Sequence, residues 1–206
     1  MPKRLLLAFF AAVALAATPA GATSFPLTVE FDDGLIGTFG TLDVTETGGD
    51  LAFAITLDAS LGANRDLHEL YFNLADGFTG VAISSTDVVS TEYTLSANPS
   101  VAGGAGASFD WGVNFGNGAG PPGNGSLTSA TFVLSATQAL TIADLLIPSS
   151  TSQGIETLFA VHVQGTSLVS GATSETVGVM VPEPATAVLL LLGLSGLAGG
   201  LFRQRA

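Results

Sequence analysis

The chain alternates between apolar and small or polar positions. In "LAFAITLD", Leu51, Phe53, Ile55 and Leu57 fall on one face. "LYFNLA" does the same with Leu70, Phe72 and Leu74, and "SFDWGVNFG" with Phe109, Trp111, Val113 and Phe115. In "TLFAVHVQG", Phe159, Val161 and Val163 oppose Leu158, Ala160 and His162. A period of two sends successive side chains to opposite faces of a pleated strand, so these stretches predict half-buried β-strands. Looser alternation predicts more strands over Leu27–Phe31, Leu35–Val44, Gly80–Ser84, Val88–Leu95, Leu127–Ser135 and Glu175–Val181. Phe53, Ile55, Phe72, Phe109, Trp111, Val113, Val161 and Val163 are the expected core.

Turn chemistry separates these runs. "TGGD" (Thr47–Asp50) and "ADGF" (Ala75–Phe78) carry hairpin signals. "SANPSVAGGAGA" (Ser96–Ala107) and "GNGAGPPGNG" (Gly116–Gly125) read as long surface loops. "SATQALTIADLL" has room for one helical turn, with Thr141 as its cap and Asp144 three residues on. About nine short strands with such punctuation predict an all-β domain, an antiparallel sandwich or jelly roll. We place that domain at 23–165, and a Ser/Thr/Gly-rich segment at 166–180 as a last strand or a stalk.

Both ends break the pattern. Lys3 and Arg4 precede an apolar run from Leu5 to Ala17, and Ala20 and Ala22 offer small residues where a signal peptidase reads. Residues 1–22 therefore read as a signal peptide, cut after Ala22. At the other end, Pro182, Glu183 and Pro184 precede an uncharged stretch, Ala185–Phe202, and then Arg203 and Arg205. As a helix, 185–202 is roughly 27 Å long, enough to cross a hydrocarbon core. Arg203 and Arg205 would hold its far end in the cytoplasm.

Pro-Glu-Pro, an apolar helix and a short arginine-rich end resemble the PEP-CTERM sorting signal of Gram-negative bacteria, over 181–206. The same tail is sometimes labelled after ice-binding proteins, although it carries no ice-binding surface. The resemblance implies export across the inner membrane and tethering by the C-terminal helix. It also implies cutting by an exosortase-type membrane protease near Pro182-Glu183-Pro184, then delivery to the cell surface or extracellular matrix. It further implies a host that makes exopolysaccharide or biofilm. "LYFNL", "SFDWGVNFGNG" and "FAVHVQG" are similar to stretches in a group of exported PEP-CTERM proteins, which implies a β-sandwich and transfers no catalytic residue.

Charge narrows the partners. Between Thr23 and Val181 stand sixteen acidic residues and one basic residue, Arg65; the net charge of the whole chain is −12. Nucleic acid is excluded as a partner, because phosphate contacts need Lys and Arg. With no cysteine, the chain has no disulfide, thiolate metal site or cysteine nucleophile.

Candidate chemistry is sparse. Glu30, Asp32 and Asp33, beside Gly34, are oxygen ligands of the type calcium takes, and equally a solvated strand end. We expect no cofactor, with calcium as the one candidate. Asp110 and Asn114 would point outward from the Trp111 strand. With His162, and Tyr71 or Tyr93 nearby, they are candidate glycan contacts; His162 reads equally as a partly buried strand residue. We expect a non-enzymatic surface or matrix protein that touches extracellular polysaccharide. The alternatives are a polysaccharide-processing enzyme, which needs two carboxylates in a cleft, and a calcium-dependent carbohydrate-binding module.

Overall fold

A computed structural model of the chain describes residues 21–85, 93–102, 106–115, 127–168 and 173–181. The expected C-terminal helix, the loop Gly116–Gly125 and most of the signal peptide lie outside the described residues. Among the described residues, no helix is long and apolar enough to cross a membrane.

The strands are β1 (Ala22–Glu30), β2 (Ile36–Thr47), β3 (Asp50–Leu57), β4 (Asp66–Phe72), β5 (Ala82–Ser85) and β6 (Thr94–Ala97). They continue with β7 (Trp111–Asn114), β8 (Ser129–Ser135), β9 (Ser149–Ser150), β10 (Glu156–Gln164) and β11 (Ser174–Met180). All pair antiparallel, in the order β5-β8-β3-β2-β1-β11-β10-β4-β7-β6, with β9 beside β10. The sheet curls until its end strands, β5 and β6, come within 8 Å, Cα to Cα. The fold is all-β, a nearly closed barrel-like sheet.

This differs from the expected sandwich in one respect, and β11 is the reason. Without β11 the hydrogen-bonded path falls into two sheets, β5-β8-β3-β2-β1 and β10-β4-β7-β6. β11 pairs with β1 on one side and β10 on the other, which makes two sheets one. Their inner faces still pack as a sandwich's would. Phe53 of β3 lies 5.8 Å from Phe72 of β4, ring to ring, and stacks on Phe132 of β8 at 4.6 Å. Phe25 of β1 meets Phe159 of β10 at 4.9 Å.

Local chemistry explains several boundaries. Gly48 and Gly49 both adopt positive φ (64° and 96°), as a tight hairpin turn requires, and fix Thr47 opposite Asp50. β3 shows the predicted alternation, with Leu51, Phe53, Ile55 and Leu57 buried. Thr141 caps a short 3-10 turn, Ile142–Leu145, with Asp144 bonded back to it.

β10 departs from the half-buried expectation, since its residues from Thr157 to Val163 are all buried. The loop after β6 covers its outer face. Val101, Ala107 and Phe109 pack there with Val29, Phe31, Tyr71 and Ala160 in a second apolar cluster. Phe109 thus leaves the face of Val113 and Phe115, because β7 starts only at Trp111. Trp111 itself is half-buried at the margin of the main core, not inside it.

Candidate functional site

Two groups of polar side chains gather on this frame. The first forms on the outer face, at an irregularity in the pairing of β4 with β10. There His162 lies opposite Glu69 but Val163 opposite Leu67, which leaves His68 as the extra residue. The ring of His68 meets that of His162 edge-on at 5.7 Å. Glu69 is the hub. Its Oε1 accepts from Asn114 Nδ2 at 3.1 Å, its Oε2 accepts from the hydroxyl of Tyr71, and His162 Nδ1 lies 3.9 Å from Oε2.

Burial decides the character of this group. His162 is 7 % exposed and Tyr71 fully covered. Burial pulls the His162 imidazole below its ordinary pKa; the charge of Glu69 opposes this and His68 adds to it. Burial, then the bond to Glu69, pushes the Tyr71 phenol up. Burial thus favours the neutral imidazole and the protonated phenol, and the bond from Asn114 to Glu69 ties β7 to β4 on the outer face.

The second group forms where β1 turns into β2. Glu30 ends β1, and its carboxylate accepts from the backbone N–H of Asp32 at 2.6 Å and of Asp33 at 2.8 Å. Gly34, at φ 66°, completes the turn. Gln153 Nε2 donates to the carbonyl of Asp32 at 2.8 Å. Across the seam, Glu175 of β11 shares a face with the core residues Val177 and Val179 and lies opposite Val163. Glu30 is fully buried and Glu175 is 2 % exposed. Burial first, then the charge of Glu30 and a hydrogen bond to it, push the Glu175 carboxyl up to about 7. Ligand atoms of Glu30, Asp32 and Glu175 all lie within 4.8 Å of one another.

The sequence candidates distribute as follows. Glu30 and Asp32 converge, whereas Asp33 contributes its backbone N–H and an exposed carboxylate outside the cluster. Glu175 was missed: alternation marked it as a strand residue, and nothing local placed it beside Glu30. Asn114 and His162 meet through Glu69, itself also missed. Asp110 does not join them; it lies exposed, ahead of β7, where its backbone N–H donates to Asn73 Oδ1. Tyr71 is too buried to meet a sugar. Ala22 opens β1 opposite Thr45. Ala20, Pro182, Glu183, Pro184, Arg203 and Arg205 lie outside the described residues.

At its C-terminal side the sheet runs directly into the Pro-Glu-Pro segment: β11 ends at Met180, and Val181 N–H still donates to the carbonyl of Glu156 at 3.1 Å. Residues 181–206 match the PEP-CTERM protein-sorting motif. The chain is a PEP-CTERM sorting domain-containing protein. The signal makes this PEP-CTERM protein an exported one, sorted through an exosortase-type route. No curated protein and no solved structure gives a match.

Proposed function

We propose that this PEP-CTERM protein is a non-enzymatic component of the bacterial surface or extracellular matrix. Its barrel is delivered by the sorting tail and retained there by contact with polysaccharide. One observation carries the reading: the sorting motif begins at Val181, the last described residue, which is still bonded to the sheet. Cutting at Pro182-Glu183-Pro184 leaves every described strand in place, so what the route delivers is a finished barrel. The non-enzymatic part is supported by how the gathered titratable groups are used. Glu69, the hub of the first group, is committed to Tyr71 and Asn114. For polysaccharide, Asp110 offers an exposed carboxylate and Asn114 a half-buried amide, at opposite ends of β7.

The test is expression of the full chain in a host that carries an exosortase, beside a version ending at Val181. The full chain is expected in the surface or matrix fraction and the truncated one in the medium. Exopolysaccharide isolated from that host is then tested for binding to the recovered protein. Equal partition of both versions would overturn the sorting half of the proposal. Failure of the recovered protein to bind the exopolysaccharide would overturn the matrix half.

A further inference from the structure

We propose that Glu30, Asp32 and Glu175 form a site for a hard divalent cation, calcium in the first place, which clamps β11 to β1. The cluster is more than a patch of acids. Two of its three carboxyls are taken out of water, and Oε1 of Glu175 is buried with no hydrogen-bond partner among the described residues. A buried polar atom left unsatisfied is costly, and a buried like-charged pair more so. Something must answer both.

Among the described residues the protein supplies no Lys or Arg for this. Between Thr23 and Val181 the single Lys or Arg is Arg65. Its guanidinium is spent on the carbonyls of Leu57 and Gly62. A proton shared between Glu30 and Glu175 would neutralise only one of the two charges. A divalent ion neutralises two charges, coordinates the orphaned oxygen, and draws in exposed Asp32 together with water.

The donor set selects the ion. Carboxylate oxygens suit hard cations, and calcium accepts irregular shells of six to eight oxygens, whereas magnesium demands a near-ideal octahedron and gives up water reluctantly. Here one ligand comes from the end of β1, one from the turn after it and one from a strand across the seam, with waters left to fill the shell. The turn is already held by the Glu30 carboxylate on two N–H groups and by Gln153 on the Asp32 carbonyl. This organises the site before any ion arrives. The position also gives the ion a task, since β1–β11 is one of the two pairings that join the half-sheets.

The experiment uses the full-length protein, freed of metal with EDTA and dialysed. Calcium chloride is added in a calorimeter and, separately, across a thermal melt. One ion bound per chain and a Tm that climbs with calcium by mass action are expected. Asp32→Asn, an exposed change that spares the core, should weaken calcium binding by about tenfold or more. Glu175→Gln should abolish it. Magnesium should shift Tm less, and an equal shift would overturn the choice of calcium. Neither heat nor a Tm shift at about 10 mM calcium, beyond the weakest extracellular sites, would overturn the site itself. So would unchanged affinity in Asp32→Asn. A Glu175→Gln protein more stable than a calcium-indifferent wild type would assign the pair to a shared proton and end the proposal.

Discussion

Phe31 lies over Gly178, and the contact works because Gly178 has no side chain. A Cβ there would stand 2.5 Å from Phe31 Cε1 and 2.8 Å from Thr157 Oγ1. Phe31 is fully buried, and Thr157 Oγ1 is bonded to the carbonyls of Phe159 and Val179, so neither yields easily. Gly178→Ala is therefore expected to destabilise the fold by about 1–3 kcal/mol, the range for overpacking. Urea unfolding measures it, and a variant as stable as wild type would mean that the ring moves freely.

Phe53 holds the two half-sheets together from inside. It touches Phe132 on its own side and Phe72 across the core. Phe53→Ala should cost about 3–5 kcal/mol, as for other large aromatic deletions in cores. Phe53→Leu should recover much of that loss. The comparison, made by chemical denaturation, separates the volume of the core from the specific ring contacts.

His162 should make the fold sensitive to acid. Its pKa is lowered in the folded state, so below its ordinary value of 6.5 the unfolded chain binds the proton more readily. Its contribution is complete above 6.5 and is lost progressively as pH falls from that value through the lower pKa of the folded state. The groups facing it are Glu69 and His68 on β4 and Thr176 opposite it on β11. The gap in Tm between wild type and His162→Gln should narrow as pH falls from about 7.5 to about 5.5, on either side of the ordinary value. A constant gap would show that the imidazole takes up its proton equally in both states.

The tail predicts a clean separation of insertion from cutting. Replacing Pro182 and Pro184 by Ala should leave the protein membrane-bound and uncut in an exosortase-bearing host. Two prolines keep the segment out of a continuing helix or an inner strand, where a protease cannot reach it. Arg203→Glu with Arg205→Glu should weaken retention instead, since arginines there would set the orientation of the expected membrane helix. Mass spectrometry of the C-terminus reads both outcomes. An intact C-terminus in the wild-type protein would leave a plain anchor.

Alternation along the chain was enough to find most strands, because burial on one face of a pleat leaves a direct trace in residue order. β3 is the clear case, and the Thr141–Asp144 cap was legible for the same local reason. What stayed hidden was relational. Nothing near Glu175 announces Glu30, since the two meet only through the pairing of the first strand with the last. The full burial of β10 was hidden too, because a loop ahead of β7 covers it, and a covering loop leaves no period in the strand beneath. Trp111 misled for a related reason: its face was read correctly, but it stands where a four-residue strand begins, at the margin of the core.

The place of β11 sets an order of events. A chain exported from its N-terminal end delivers β1 early, and the half-sheet containing it can form while β10 and the residues after it are still crossing. Until β11 arrives, β1 and β10 each carry a bare hydrogen-bonding edge, the condition under which strands recruit the wrong neighbour. β11 fills both edges at once. The sorting motif follows directly behind it. The moment at which the barrel can first close is thus the moment at which its address reaches the membrane, and an unfinished barrel has not yet shown that address to the sorting machinery.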